Sequence, residues 1–238
     1  GSEAGREEFP AAELAVTPTG KFQLTAYKSG LYAAPLASGE ARQSLVEETP
    51  RPLKLSGPWQ LSFPPGLGAP ASIELTELID WTEHPDPNIR YFSGTGTYEL
   101  TFELTDSALA KDSRLMLDLG DVKYLAEVAG NGKELGILWK PPFRLNITDV
   151  AKAGDNSLTA RVTNLWPNRL IGDEALPSEV EWRGPVIAAW PDWLLKGSPR
   201  ESERVTFTTW HHYHEGDPLF PSGLLGPVTL HLGKVVEF

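Results

Sequence analysis

The sequence predicts an all-β protein built as a β-sandwich. Apolar and polar residues alternate with a period of two along most of the chain, as in Tyr98–Leu104 and Ser157–Val162. Glycine occurs 22 times and proline 21 times between such segments, which is typical of short strands joined by turns. The best helical candidate, Asp106–Lys111, is barely longer than one turn. Many short alternating strands with little helix favour a sandwich over the other β architectures.

The alternation indicates about eight strands in the main body of the chain. Weaker strands around 22–27 and 30–32 precede them, and Thr49–Pro52 ends this front piece. We therefore expect residues 1–50 to form an N-terminal extension, either an accessory hairpin or the tail of a preceding module, and residues 51–238 to form the sandwich. The predicted strands are Gly57–Phe63, Tyr98–Leu104, Arg114–Leu119, Ala126–Val128, Phe143–Ile147, Ser157–Val162, Arg204–Thr209 and Pro227–Leu232.

The turns between these strands predict which loops meet. Consecutive antiparallel strands place alternate turns at opposite ends of a sandwich, so Gly130–Gly132 and Lys152–Asn156 should share one end. Strict alternation also sends Trp210–His214 to that end, unless the last strand crosses between sheets. The opposite end should collect the connections 80–94, 120–124 and 138–142 and a long segment, 165–202.

Composition excludes several classes of partner. A formal net charge of -11 argues against nucleic acids and anionic membranes, which select for lysine and arginine clusters. The absence of cysteine excludes disulfides, thiolate catalysis and cysteine-ligated zinc. No apolar run approaches a membrane span, and Gly1-Ser2 is typical of a cloning remnant, so a signal peptide could have been removed.

The tryptophans indicate a ligand class. Five of the eight lie between Trp166 and Trp210, where the strand pattern breaks down. Indole faces beside polar side chains suit a sugar, whose C–H faces stack while its hydroxyls form hydrogen bonds. Trp59 and Trp81 are expected to pack in the core, and Trp210 could cap the sandwich. The predicted ligand-binding residues are Trp139, Trp166, Asn168, Arg169, Asp173, Trp190 and Trp193.

A structural role competes with this interpretation at each of these positions. The four tryptophans could anchor a long loop that would otherwise be mobile. Arg169 and Asp173 could pair to fix the loop, and the same surface could contact a neighbouring domain.

Part of the sequence resembles the sugar-binding β-sandwich of glycoside hydrolase family 2. The segments that carry this resemblance are Leu117–Val122, Glu127–Gly136, Pro142–Thr148 and Gly154–Leu158. A longer resemblance, over about 20–232, is to the C-terminal, non-catalytic region of proteins related to glycoside hydrolase family 106, the α-L-rhamnosidases. Its segments are Gly57–Trp59, Tyr91–Tyr98, Asn164–Asp173, Phe207–Trp210 and Pro218–Val228.

These resemblances imply a galactose-binding-like jelly roll that accompanies a catalytic glycoside hydrolase domain outside the cell or in the periplasm. The chain shows no alternation of strands with amphipathic helices, so a catalytic barrel is not expected within it, and the family's activity does not transfer with this region. Sandwiches of this type often carry a structural calcium ion, although no Asp-x-Asp-x-Asp loop marks a site here.

Three functions remain open from the sequence. The leading one is a non-catalytic module that binds plant or algal cell-wall saccharides, without a cofactor. The second is a structural domain that supports a catalytic neighbour. The third is an enzyme, which would need two carboxyl groups at a defined separation, and Glu174, Glu179 and Glu181 are expected to be merely solvated. His211, His212 and His214 are expected to be surface residues, since no third metal ligand at diagnostic spacing accompanies them.

Overall fold

A computed structural model of the chain describes residues 8–35 and 41–237, and Gly1-Ser2 lie outside these ranges. The strands in the described residues are β1 (Ala12–Val16), β2 (Phe22–Ala26), β3 (Gly30–Pro35), β4 (Ala41–Val46), β5 (Leu53–Lys54), β6 (Trp59–Ser62), β7 (Ser72–Leu75), β8 (Thr95–Leu104), β9 (Ser113–Asp118), β10 (Asp121–Lys123), β11 (Leu125–Gly130), β12 (Lys133–Leu138), β13 (Arg144–Asn146), β14 (Gly154–Thr163), β15 (Glu181–Arg183), β16 (Val186–Ala189), β17 (Gly223–Gly226) and β18 (Thr229–Glu237).

Helix is sparse in the same residues. The α helices are α1 (Pro87–Arg90), α2 (Pro167–Asp173) and α3 (Asp192–Lys196), and short 3-10 turns occupy Trp81–Glu83 and Asp106–Leu109. The second 3-10 turn falls within the predicted helical candidate. No helix of the described residues is long and apolar enough to cross a lipid bilayer.

Two antiparallel sheets form the sandwich, which confirms the predicted fold class. One sheet has the order β1-β2-β18-β9-β13, with β5 also paired to β18, and the other has the order β12-β11-β14-β8-β6-β7. Three further pairs of strands, β10-β17, β15-β16 and β3-β4, form separate two-stranded sheets.

The period of two in the sequence decides which side chains enter the core. Along β8, Tyr98 and Leu100 are buried while the intervening Glu99 is exposed. Its neighbour β14 buries Leu158, Ala160 and Val162 in the same way. The two inner faces therefore enclose one apolar core, which also contains Trp59 and Trp81, each 1% exposed, as the sequence predicted.

The ends of the sandwich follow the predicted arrangement of turns. Asn131, in the hairpin between β11 and β12, donates from Nδ2 to the carbonyl of Val150 and to Oδ1 of Asn156, each at 2.8 Å, so both predicted turns share one end. At the other end, Asn164 contacts the connection at Phe92–Gly94.

One predicted strand is absent and one predicted loop is helical. Residues 204–209 do not form a strand, so the alternation that would place Trp210–His214 at the far end does not apply. His211 instead lies against Trp182, within the long segment, with ring centroids 4.2 Å apart. The start of that segment, predicted as a loop, forms α2, because Pro167 presets the first helical turn.

The front piece contacts the sandwich through β2, which lies between β1 and β18. A second small core beneath it contains Leu24, Ala26 and Val46. The predicted division of the chain at residue 50 stays a prediction.

Candidate functional site

Helix α2 brings three of the predicted site residues together at the end of β14. Asn168, Arg169 and Asp173 are 1%, 7% and 1% exposed, respectively. All three side chains are thus inside the protein, where their partners belong to this chain. No local pattern in the sequence indicates this burial, because most of those partners lie far away along the chain.

Asn168 holds the segment that leads into β17. Its Oδ1 accepts from the backbone N–H of Phe220 at 2.8 Å, and its Nδ2 donates to the carbonyl of Phe220 at 2.7 Å. The same Nδ2 lies 3.0 Å from Oγ of Ser222. These contacts use both ends of the amide, so little hydrogen-bonding capacity remains for a ligand.

Asn164, which lies between the end of β14 and α2, makes a similar set of contacts, and it was not among the predicted site residues. Its Nδ2 donates to the carbonyl of Phe92 at 2.8 Å and to Ser222 Oγ at 3.0 Å, and its Oδ1 accepts from Gly94 N at 2.8 Å. The backbone N–H of Ser222 donates to Asp80 Oδ1 at 3.0 Å. Asn164 and Asn168 therefore join three loops at Ser222.

Arg169 and Asp173 form a buried pair on successive turns of α2. Nη2 of Arg169 lies 2.9 Å from Oδ1 of Asp173. The other carboxylate oxygen accepts from both the backbone N–H and the hydroxyl of Thr206 at 2.7 Å. The pair thus holds the chain at Thr206 against α2. Ligand contact by Asn168, Arg169 and Asp173 stays a prediction. These internal contacts do not favour it.

The predicted tryptophans are much more accessible. Trp139, Trp166 and Trp190 are 69%, 50% and 44% exposed. Trp139 follows β12 directly, and Trp166 caps the start of α2 after β14. Trp210 is also half exposed, so its ring is not enclosed in the core.

Trp193 differs from the other three. Its ring is partly buried and meets Phe207 edge-on at 5.3 Å, while the guanidinium of Arg200 lies 5.2 Å from the ring centroid. Trp190 lies 6.3 Å from the same phenylalanine. Trp193 therefore anchors the long segment to Phe207, which follows that segment in the chain.

Two ion pairs hold the rest of the long segment. Arg200 donates to both carboxylate oxygens of Glu179, at 2.8 Å and 2.6 Å. Arg204 lies 3.3 Å from Glu174 and donates to the carbonyl of Leu176. The expectation that Glu174 and Glu179 are merely solvated is wrong for both, whereas Glu181 is exposed as expected.

The Glu179–Arg200 pair also sets the charge state of its members. The hydrogen bonds from Arg200 lower the pKa of the Glu179 carboxyl, although burial opposes the shift. The same contact raises the pKa of Arg200. A carboxyl that stays ionised in this way is suited to binding an arginine and unsuited to donating a proton.

The histidines occupy the surface, as predicted. His211 is exposed and its Nδ1 lies 3.5 Å from Glu174 Oε2, while His214 lies 3.9 Å from Asp217. No group of three or more histidine, aspartate or glutamate side chains in the described residues could hold a metal ion.

Comparisons with known proteins relate the chain to larger glycoside hydrolases. No family model matches it. A protein of Formosa agariphila named "Putative beta-glucuronidase" is 46% identical over 195 residues, which are 82% of this chain and 17% of that protein.

Among solved structures, a rhamnosidase from Novosphingobium sp. PP1Y is 26% identical, with a TM-score of 0.62 over 98% of this chain and 24% of its own. A Ruminococcus gnavus β-glucuronidase is 22% identical, with a TM-score of 0.41 over 48% of this chain and 21% of its own. The chain thus spans less than a quarter of the length of each of these proteins. It is similar to a domain associated with glycoside hydrolases.

Proposed function

We propose that this chain is a non-catalytic, saccharide-binding β-sandwich of a glycan-degrading protein. The observation that carries the proposal is the exposure of Trp139 and Trp166 at one end of the sandwich. Because an exposed indole offers a flat apolar face, a pyranose ring can stack on it while its hydroxyls remain hydrogen-bonded to water or protein. A half-exposed tryptophan that packed only for stability would forgo about half of its burial free energy.

Strand register supports a shared surface for these two rings. Leu138, directly before Trp139, pairs with Ala126, which in turn pairs with Val162 on the strand that leads to Trp166. Adjacent strands are about 4.8 Å apart, so two spacings separate the strand ends by roughly 10 Å. In this proposal one oligosaccharide bridges these two strand ends and contacts both rings.

The buried polar residues take a positioning role in this proposal. Asn168 and the Arg169–Asp173 pair fix α2 to the neighbouring loops and thereby fix Trp166 at its first turn. A ligand platform that is rigid before binding loses less conformational entropy on binding.

The proposed parent is a protein related to the family 106 glycoside hydrolases, with this chain as its galactose-binding-like region. Support comes from the solved rhamnosidase. The match covers 98% of this chain and 24% of the rhamnosidase chain. The proposed ligands are plant or algal cell-wall saccharides, and the proposed location is outside the cell or in the periplasm. A structural calcium ion stays a prediction.

The absence of catalysis is part of the proposal. Two carboxylates of the long segment, Glu174 and Glu179, are each paired with an arginine. The lowered pKa of Glu179 is the opposite of what a general acid requires.

A structural domain without a ligand is the second candidate. The observation that favours it is that Phe220 and Ser222 occupy both ends of the Asn168 amide, which leaves little hydrogen-bonding capacity for a sugar. In that case the exposed tryptophans would contact a catalytic neighbour.

Affinity gel electrophoresis on a panel of plant and algal polysaccharides tests the proposal. The chain should be retarded by at least one of them, and Trp139→Ala or Trp166→Ala should reduce the retardation at least about tenfold in apparent affinity, because each removes a stacking face. Phe22→Ala is the matched control, since Phe22 is a 43% exposed aromatic residue on β2. Retardation that is lost equally in all three variants, or absent throughout, would favour the structural domain.

A further inference from the structure

We propose that a cavity on the outer face of the sheet β12-β11-β14-β8-β6-β7 binds two neighbouring hydroxyl groups of an uncharged sugar residue. The inference rests on the saccharide-binding function proposed above. It adds the polar contacts that the buried Asn168, Arg169 and Asp173 do not offer. The cavity has a volume of about 110 Å³ and is lined by residues of β12, β11 and β14. It therefore lies between the two strands that lead to Trp139 and Trp166.

A β-bulge in β12 opens this cavity. The register between β11 and β12 shifts after Val128, so that β12 has one extra residue at this point. The outward side chains of β12 at the cavity, Glu134 and Ile137, are consequently three residues apart instead of two. Ala129, which pairs with Glu134, has only a methyl group to place in the gap between them. The cavity thus arises from the strand register.

Polar side chains form much of the cavity wall. Arg161 donates from Nε to Oε2 of Glu127 at 2.9 Å, and its Nη2 contacts the same oxygen. That Nη2 also lies 3.9 Å from Oε1 of Glu134. The Thr159 hydroxyl and Oε1 of Glu127 form no hydrogen bond with the residues that the structure describes. Acceptor oxygens and guanidinium donors therefore remain available side by side.

This combination of groups matches the hydroxyls of a sugar. A carboxylate only accepts hydrogen bonds and a guanidinium only donates them, whereas a hydroxyl group does both. Two adjacent hydroxyls can thus donate to Glu127 or Glu134 while they accept from Arg161. Hydrogen bonds with one charged partner are also stronger than those between neutral groups.

The charges of the cavity select against other small ligands. Two carboxylates and one guanidinium leave one negative charge in excess, which disfavours the carboxylate of a uronic acid or a sulfate ester. A metal ion would meet the cationic group of Arg161, which already contacts the Glu127 carboxylate. The net charge of -11 adds a general repulsion of anionic polymers. An uncharged sugar meets none of these obstacles.

An apolar side chain connects the cavity with Trp139. Ile137 lines the cavity and is 60% exposed. Trp139 is two residues further along the chain, which corresponds to about 7 Å in an extended strand. One sugar residue can therefore place its hydroxyls in the cavity while the next residue of the same chain stacks on the exposed indole.

Filling the cavity tests the proposal without removing a polar group. The probes are xyloglucan, galactomannan and laminarin, which are neutral, and polygalacturonate and carrageenan, which are anionic, in affinity gel electrophoresis. At least one neutral polysaccharide should retard the wild-type chain, and Ala129→Leu should weaken that binding at least about tenfold, because a larger side chain occupies the gap. Ser72→Leu is the matched control, since Ser72 is exposed on β7, four strands away from β11 in the same sheet. It should bind as the wild type does.

Two further variants test the polar contacts one at a time. Arg161→Gln and Thr159→Val should each weaken binding of the same neutral polysaccharide by about three- to tenfold, the loss expected for one or two hydrogen bonds. Thr159→Val barely changes the side-chain volume, so it keeps the test valid if Ala129→Leu disturbs the sheet.

The outcomes separate this inference from the function on which it rests. Retardation that Trp139→Ala reduces, but that Ala129→Leu, Arg161→Gln and Thr159→Val leave intact, would overturn the cavity as a binding site and keep the exposed indole. Retardation by polygalacturonate or carrageenan alone would also overturn it, as would equal losses in Ala129→Leu and Ser72→Leu. A chain that no polysaccharide retards would overturn both proposals.

Discussion

At the scale of single residues, the contact between Glu179 and Arg200 closes the long segment. The two side chains meet through parallel hydrogen bonds, and Arg200 donates further to the carbonyls of Val205 and Thr206. Bidentate pairs of this kind fix geometry as well as contributing energy. The glutamate side chain is 9% exposed and the arginine side chain 27% exposed, so solvent screens this pair less than it would screen a fully exposed one.

This contact predicts a specific pH dependence. Because the pKa of Glu179 is lower in the folded protein than its ordinary value of 4.5, its contribution to stability is present above pH 4.5 and is lost as the pH falls through the lowered pKa. Glu179→Gln lacks that contribution at every pH. The difference in free energy of unfolding between wild type and Glu179→Gln should therefore be constant above pH 4.5 and should shrink below it, as measured by urea denaturation.

Glu181→Gln provides the control for this experiment. Glu181 lies two residues away, is exposed and forms no ion pair with a described residue. Its replacement should follow the wild-type curve from neutral to acidic pH. If Glu179→Gln and Glu181→Gln behave alike, the bidentate pair does not stabilise the fold.

At the scale of secondary structure, the regular strands were predictable from the sequence, whereas the conformation of residues 204–209 was not. Tyr98–Leu104 and Ser157–Val162 alternate and form β8 and β14 as expected. Residues 204–209 alternate equally well, yet their backbone partners are side chains. Thr206 N–H donates to Asp173, and the carbonyls of Val205 and Thr206 accept from Arg200. Periodicity reports which residues avoid water and cannot show what satisfies the backbone.

The candidate site shows the same limit. The exposure of Trp139 and Trp166 agrees with the prediction that the connections at this end carry accessible indoles. The polar residues were predicted as ligand contacts because their side chains can form hydrogen bonds with sugar hydroxyls beside the stacked rings. Asn168 is buried because Phe220 and Ser222 return to it from more than 50 residues away, as the sequence separation of 52 for Phe220 shows. Whether Asn168 is buried or exposed is therefore decided by contacts between distant segments of the chain.

One element, β17, depends on a glycine that the fold leaves no room to replace. Gly223 has φ +99, and a Cβ there would lie 2.7 Å from both Trp81 Nε1 and Tyr98 Oη. These two groups already share a hydrogen bond of 2.6 Å in the core, and Leu224 N–H donates to the same tyrosine oxygen. An added methyl group would therefore have to displace a buried hydrogen-bonded pair.

Gly223→Ala should reduce the free energy of unfolding by about 2–4 kcal/mol, from crowding added to backbone strain. Gly132→Ala is its control, since Gly132 also has a positive φ, +77, but an added Cβ would meet no atom within 4 Å. That variant should lose only about 1–2 kcal/mol. Chemical denaturation of both variants measures the difference, and equal losses would exclude crowding around Tyr98 as the cause.

At the scale of the whole molecule, the front piece is connected to the sandwich through backbone pairing. β2 pairs with β18, and β18 pairs in turn with β9 inside the same sheet. Leu24 on β2 is 6% exposed in the small core with Ala26 and Val46, and Val236 of β18 packs against that core. Shared strands of this kind couple the unfolding of the two parts, whereas domains joined only by a linker unfold separately.

This coupling predicts one cooperative unfolding transition for the chain. Leu24→Ala should shift the entire transition, with a loss of about 2–4 kcal/mol from lost burial and the cavity it leaves. Leu31→Ala, at a position that is 62% exposed on β3, should change stability by no more than about 0.5 kcal/mol. Scanning calorimetry measures both effects. If Leu24→Ala instead produces a separate transition at lower temperature, with the main transition unchanged, then the pairing of β2 with β18 does not transmit stability and the front piece unfolds as its own unit.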